Sequence, residues 1–427
     1  MERLSCDVLV IGAGPAGSTA ARVASQEGAR VLLVERKAQI GTPVQCAGYV
    51  AKAVRWYVDL PSECVSQAVE RLRTHLPDGS VHEAEMPGYL LDRGAMDRFL
   101  AKQAVKSGAK LLVHTTAQQV VGNPVKEKAA SVAVGAIHEA PLEVRPESLF
   151  WQNSGAKPRS EVAPKDGMSG FSSGLLGVGL AAGARIAAPP QKGAQGTEVV
   201  VLRAGQEVLV DARVIIGADG PRSTVARWMG KAPLPVASAV QYEAPLRRQT
   251  DTAEVYFRPE FRGGYGWFFP AGDVARVGAA FDGEYSEGIK GLGRLMGELL
   301  QKARISDSII SHTAGPVPVG GPGVVRWGNV LLVGDAAGLT HPVTGAGIVN
   351  AIISGEIAGR AAARAALDSD LSALDEYEEE LRTVLTPALE RASEKRSLLE
   401  LAWDLPPAEL SEAIRGSWIA FDEYYRR

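Results

Sequence analysis

Cys6-Asp-Val-Leu-Val-Ile-Gly-Ala-Gly-Pro-Ala-Gly17 decides the reading of this chain. The apolar run at 8–11 reads as a buried parallel strand. Gly12, Gly14 and Gly17 follow in the spacing G-x-G-x-x-G. An Ala-rich helical segment, 18–27, stops at Gly28, and a second apolar run, 31–34, ends at Glu35. Strand, glycine turn, helix, strand and terminal acid are the parts of a dinucleotide-binding βαβ unit. Gly12 serves the tight turn, Gly14 lets the backbone approach a pyrophosphate, and Gly17 lets helix and strand pack closely. The helix N-terminus offers free N–H groups to phosphate, and Glu35 stands where an acid accepts from ribose hydroxyls. With 47 glycines in the chain a bare glycine motif carries little weight, so the argument rests on the whole unit.

The rest of the 427-residue chain has room for two or three domains. Its composition is that of an ordinary globular protein, and a net charge of −3 gives no reason to expect a nucleic-acid partner. Cys6, Cys46 and Cys64 have no metal, iron–sulfur or disulfide-framework spacing. The chain enters a strand almost at once and has no apolar run near the length of a membrane span. A cytoplasmic protein is expected, with contact at a membrane surface left open.

Past Glu35, Arg36 opens a polar loop, and Cys46 sits just before a Gly turn, as a neighbour of a cofactor ring or as a small residue in a turn. Short strands are expected at 71–75 and 80–84, around Pro77-Asp-Gly79. A helix carrying Met96, Phe99, Leu100 and Ala104 on one face should stop at Gly108, before a strand at 111–113. Residues 122–197 read as an insertion or flexible loop; a glycine cluster there, from Gly177, lacks the strand a nucleotide motif needs. A hairpin across Ala204-Gly205 precedes a separate strand at 214–217, and Asp219 follows as a strand-end ligand or a helix cap. Strands without long helices between them, from 240 to 281, indicate a mainly antiparallel second sheet. Alternation puts Tyr265, Trp267 and Phe269 on one face, as core or as the wall of an apolar cavity. A further buried strand ends at Asp335 and leads through Thr340-His-Pro-Val-Thr-Gly345-Ala-Gly347-Ile348 into a long Ala-rich helix. That second helix N-terminus suits a second negative centre, such as the pyrimidine edge of a reduced flavin. The tail, 369–427, is helical, with aromatics at Trp403 and at 418–425 that look exposed; it caps the fold or faces lipid.

In order, G-x-G-x-x-G, acid, Gly-Ala-Asp-Gly and Gly-Asp-Ala resemble the FAD-dependent oxidoreductases of the para-hydroxybenzoate hydroxylase fold group. Three stretches are similar to the geranylgeranyl reductase family. Pro43-Val-Gln-Cys46-Ala-Gly48 matches its P-x-x-C-G segment, with Ala47 for a glycine. Tyr265-Gly-Trp267-Phe-Phe269-Pro270 with Gly278-Ala-Ala280 matches Y-x-W-x-F-P…G-x-G, with Ala280 for the last glycine. The stretch from His341 to Ile348 matches D-P-x-T-G-x-G-I, with His341 for an Asp. The resemblance implies an α/β Rossmann-like FAD-binding domain built from 1–55, 89–121, 198–232 and 325–368. It implies a mainly antiparallel substrate domain from 56–88 and 233–324, and a helical C-terminal region, 369–427. It implies that Gly12, Gly14, Ala16 and Gly17 hold the pyrophosphate and that Glu35, followed by Arg36, holds the adenosine end. Arg93 and Asp335 would serve the phosphate and ribityl region, Gly347 and Ile348 the flavin, and Cys46, Ala47 and Tyr49 would lie along it. Cys46 would be catalytic, no metal would take part, and Tyr265, Trp267, Phe269 and His341 would meet an isoprenoid substrate. Reduced FAD would give hydride to an isolated double bond, drawing electrons from NAD(P)H or from a donor protein such as ferredoxin. A flavin monooxygenase or halogenase, and a flavoprotein that only carries electrons, are the competing readings.

Overall fold

The computed structural model describes residues 1–121 and 196–426. The expected insertion at 122–197 lies outside the described residues up to 195, as does the glycine cluster from Gly177; Gly196 is described, and Thr197 already belongs to a strand. Strand β1 (Glu2–Ile11), helix α1 (Pro15–Gln26) and β2 (Val31–Val34) form the expected βαβ unit. Strand β3 (Tyr49–Ala51) and the long hairpin β4 (Val65–His75) and β5 (Val81–Leu91) follow. Helix α2 (Arg93–Lys106), capped by the Asp92 carboxylate on Ala95 N–H, leads to β6 (Lys110–Leu112) and β7 (Thr115–Val120). Beyond the undescribed segment come β8 (Thr197–Arg203), β9 (Gln206–Gly217) and α3 (Thr224–Trp228). Next are β10 (Val236–Pro245), β11 (Thr252–Tyr256), β12 (Tyr265–Ala271), β13 (Val274–Phe281), α4 (Tyr285–Gln301) and β14 (Ser311–Pro318). Strands β15 (Arg326–Trp327) and β16 (Val330–Leu332) precede α5 (Ile348–Leu367). Helices α6 (Asp375–Val384), α7 (Thr386–Ala402) and α8 (Pro407–Ser417) complete the order.

Two eight-stranded sheets organise these elements. The first runs β15-β16-β9-β1-β2-β6, with β8 beside β9 and β7 beside β8. Its centre is parallel: β1 pairs with β2, β9 with β1 and with β16, and β2 with β6. Valine, leucine and isoleucine fill β2, β16 and residues 8–11 of β1 because both faces are covered there. One expectation is corrected here. The hairpin arm after Gly205 and the strand at 214–217 are one twelve-residue strand, β9. It pairs antiparallel with β8 along its first half and parallel with β1 throughout, Glu2 opposite Val208 and Ile11 opposite Gly217. Asp211 and Arg213 look like a break, but they are only the exposed side of an alternating strand whose Ala212 and Val214 are buried.

The second sheet runs β14-β10-β13-β12-β11-β4-β5-β3. It is antiparallel except where β11 pairs with β4. One face packs Phe268, Phe281 and Tyr256 against Leu292, Leu295 and Leu299 of α4. The other face, with Trp267, Phe269 and Phe257, packs against Leu399, Trp403, Leu410, Ile414, Trp418 and Phe421. The tail is therefore a cap. Trp403, Trp418, Phe421 and Tyr424 are buried, contrary to their exposed look in the sequence, because the sheet face supplies the apolar partner that the tail alone lacks. Arg396 of α7 locks this cap: Nη1 donates to the carbonyls of Gly263 (2.9 Å) and Pro342 (3.2 Å), and Nη2 pairs with Asp282. Among the described residues no helix is long and apolar enough to cross a membrane.

Candidate active site

The site is made where the first sheet's carboxyl ends meet two helix N-termini. Gly12 has φ +103°, and a Cβ on it would run into the Ala218 carbonyl beyond β9. A Cβ on Gly17 would run into the Gly12 carbonyl, so α1 can reach the turn only with glycine there. Gly14 differs from both. A Cβ there would meet nothing within 4 Å and would stand in open space beside the uncapped start of α1. That is the cradle a pyrophosphate needs. The Glu35 carboxylate is held from below, accepting from Ala13 N–H (2.8 Å) and Lys37 N–H (2.9 Å). Its remaining lone pairs suit ribose hydroxyls. Arg36 is exposed in the loop that follows.

Helix α5 brings the second N-terminus to the same place. Gly355 and Gly359 let it lie directly on Ala16 and Ala20 of α1; a Cβ on Gly355 would run into the Ala16 carbonyl. Gly347, the uncapped N-cap of α5, lies beside Asp335 and Thr340: a Cβ on it would come 3.1 Å from Asp335 Oδ1 and from Thr340 Oγ1. Ile348 begins the helix. Thr340 donates to Asp335 Oδ1 at 2.7 Å. Burial pushes the Asp335 carboxyl above its ordinary value, against the pull of Thr340 and of the nearby Arg93 charge. Asp219, by contrast, is a cap: it accepts from Ser223 Oγ (2.6 Å) and from Thr224 and Val225 N–H (2.6 and 3.2 Å) at the start of α3.

Cys46 packs against a cluster made by Val50 of β3, Leu91 of β5, Met96 of α2 and Ile348 at the start of α5. Arg93, in the first turn of α2, pairs with Asp97 at 3.0 Å, and Cys46 is near enough to act on its charge. Burial works against the Arg93 charge, but Asp97 and Cys46 outweigh it and hold the guanidinium above its ordinary value. Cys46 is only partly buried, whereas Cys6 and Cys64 are buried and their thiols are pushed up, by burial first, to about 12 and about 11. Ala47 follows, and Tyr49 tilts against Phe269 at 5.5 Å while donating to the Met86 carbonyl at 2.8 Å. Tyr265 donates to the Thr344 carbonyl at 2.6 Å, tying the second sheet to the loop before α5.

The aromatic row is continuous, T-shaped at Tyr265 and stacked between Trp267 and Phe269. Tyr265 meets Trp267 at 6.1 Å and Trp418 of the cap at 4.9 Å, and Trp267 meets Phe269 at 6.2 Å. Trp267 and Phe269 are buried, and Trp267 Nε1 donates to Gln241 Oε1 at 3.1 Å. Gly278 lies opposite Trp267, and a Cβ there would strike the indole, which accounts for the first glycine of the G-x-G pattern. His341 closes the row. Its Nδ1 accepts from Thr344 N–H (3.2 Å), leaving Nε2 to donate to the Tyr424 hydroxyl (3.2 Å). Burial lowers its pKa to about 4, so it is neutral at physiological pH. The sequence reading missed Gln241 and Arg276; the signal was a polar side chain inside an otherwise apolar strand, Ala275-Arg-Val277 in the second case.

Open space at Gly14, two uncapped helix starts and two strand-end carboxylates fit FAD. Comparisons with known proteins agree. The family described as FAD dependent oxidoreductase matches residues 7–141. Digeranylgeranylglycerophospholipid reductase 1 of Methanopyrus kandleri is 31% identical over 98% of this chain and 99% of its own length. A geranylgeranyl bacteriochlorophyll reductase-like protein from Thermoplasma acidophilum superposes with a TM-score of 0.70 over 97% of both chains, at 24% identity. The p-nitrophenol 4-monooxygenase of Pseudomonas putida shares the fold with a TM-score of 0.64 over 98% of this chain and 95% of its own, at 14% identity.

Proposed function

The chain belongs to the geranylgeranyl reductase family of FAD-dependent oxidoreductases, and from that premise we propose that it saturates isolated double bonds in the isoprenoid chains of a lipid. When bound, reduced FAD supplies the hydride for this chemistry. The Gly12 to Gly17 turn, Glu35, Asp335 and the start of α5 hold the cofactor; Tyr265 and His341, where the second sheet meets the loop before α5, face the apolar chain, and Trp267 and Phe269 are packed behind them under the cap. The observation that carries the reading is Cys46, partly buried and packed on the cluster that joins Leu91 and Met96 to Ile348, the first residue of α5. Reduction of an alkene needs a proton as well as a hydride. The Cys46 Sγ–H gives that proton to carbon, and the Arg93 guanidinium steadies the thiolate left behind. Residues 56–88 and 233–324 form the substrate side of the molecule under this reading. A lipid substrate is met at a membrane surface, where exposed Leu398, Leu401 and Leu405 supply apolar side chains.

The test is anaerobic. Photoreduced protein is mixed with digeranylgeranylglycerophospholipid, with an aromatic compound plus oxygen, or with a quinone, and flavin absorbance is followed. Reoxidation by the lipid, with a product heavier by two hydrogens per bond, is the expected result. Hydroxylation of the aromatic once oxygen is admitted, or anaerobic reoxidation by only the quinone, would move the protein to a monooxygenase or an electron carrier. Adding NAD(P)H or reduced ferredoxin in place of light identifies the donor. Cys46→Ser should keep flavin and melting temperature while turnover falls about 100-fold. Flotation with lipid vesicles, wild type against Leu401→Asp, tests the membrane encounter.

A further inference from the structure

Arg276 stands in the middle of β13, on the same face as Gly278, directly opposite Phe269 of β12 and Glu243 of β10. It is buried. Its Nε pairs with Glu243 Oε1 at 3.0 Å. Its Nη1 reaches two backbone carbonyls distant in sequence, Leu91 at the end of β5 (2.8 Å) and Ala47 just before β3 (3.1 Å). Those carbonyls belong to two different segments. Ala47 follows Cys46; Leu91 precedes the Asp92 cap and Arg93. Leu91 N–H also donates to the Gly48 carbonyl at 2.9 Å, so the two segments are stitched to each other at the point the guanidinium grips. Gly48 has φ +84°, and a Cβ on it would lie 2.7 Å from Arg276 Nη1 and 2.8 Å from the Leu91 carbonyl. The glycine after Cys46-Ala47 is thus the residue that lets the arginine in.

We propose that Arg276 is a positioning residue: by pinning the Ala47 and Leu91 carbonyls it sets Cys46 and Arg93 in register with each other and with the aromatic strand β12. The proposal rests on the Cys46 reading above. It assigns Arg276 a task that an ion pair with Glu243 alone would not need, because one Nη1 serves both segments while Nε serves Glu243. That division of labour requires a planar guanidinium; an ammonium is a point charge and cannot hold three acceptors in this fork.

The test uses the FAD-loaded full chain, and its first readout, alkylation, does not depend on the substrate. Cys46 is the partly exposed thiol among three, so iodoacetamide alkylation, located by peptide mass, reports its setting. Arg276→Lys should change the Cys46 alkylation rate by about tenfold and lower kcat by about 10- to 100-fold with KM little altered, while flavin content stays full. Glu243→Gln keeps an acceptor for Nε and removes only the charge, so it should leave alkylation and kcat near wild type. Equal effects of the two variants would make the ion pair, rather than the carbonyl contacts, responsible and overturn the proposal. Wild-type alkylation in Arg276→Lys would overturn it as well, and so would loss of its melting transition, which would make Arg276 a residue of the fold. A shifted alkylation rate in a protein that reduces no isoprenoid would leave Arg276 in place and remove the proposed reaction instead.

Discussion

Under the proposed reading, the two sheets build their halves of the site from different material. The parallel sheet contributes backbone: uncapped helix starts, a turn at Gly12 and the space over Gly14, with carboxylates only at strand ends. The antiparallel sheet contributes side chains, a row of rings whose own burial resembles any packed core. A site made of backbone leaves glycines as its trace, because close approach forbids a Cβ. A site made of apolar side chains leaves no trace that distinguishes it from core.

The largest effect should come from the glycines. Gly14→Val should abolish FAD binding while the apoprotein melts as wild type, because its side chain enters ligand space. Gly17→Ala should lose both fold and flavin, because its Cβ enters the Gly12 carbonyl. Flavin absorbance and calorimetry on the pair decide it; equal loss of fold in both would erase the difference between cradle and packing. Next, Trp267→Ala should cost about 3–5 kcal/mol in denaturant unfolding, since it empties a buried site and strands the Gln241 amide. A smaller cost, with affinity falling most for the longest prenyl chains, would move the indole from core to substrate wall.

His341 lies at the seam and has a pH signature. Its folded pKa, about 4, is below the unfolded value of about 6.5. Between these values the unfolded chain binds the extra proton, so the contribution is whole above about pH 6.5 and is lost as pH falls toward 4. The slope is at most about 1.4 kcal/mol per pH unit. Unfolding free energies at pH 7 and pH 5 should therefore differ by about 1–2 kcal/mol less in His341→Asn than in wild type. An unchanged difference would mean that His341 titrates normally. The smallest effect belongs to Tyr265→Phe, which removes the bond to Thr344 and should cost about 1 kcal/mol with a modest rise in the FAD dissociation constant. No change in flavin affinity would mean that the two halves do not communicate through this bond.

The same contrast decides what could be read from the chain. The strand at 8–11, the three glycines, Glu35 and Asp335 announce the first sheet because local pattern and local geometry coincide there. Alternation likewise placed Tyr265, Trp267 and Phe269 on one face. What covers that face was not legible: Trp418 packs on Tyr265 and Phe257 across a sequence separation that no periodicity spans. The unity of β9 was hidden for a related reason, since Asp211 and Arg213 look like a loop until the strand beside them is known. Arg276 was hidden because, Glu243 apart, its partners are carbonyls, which have no letter in a sequence.

The cap has a further consequence, for how the protein is made. The strands bearing Phe257, Trp267 and Phe269 leave the ribosome long before Trp403, Trp418 and Phe421 exist to cover them. Until then the nascent chain carries an oily sheet face in water, the kind of surface that chaperones hold and that aggregates when left alone. A message cut short before α8 would yield a chain that keeps the glycine cradle and Glu35 but stays sticky, so solubility itself would sort finished molecules from unfinished ones.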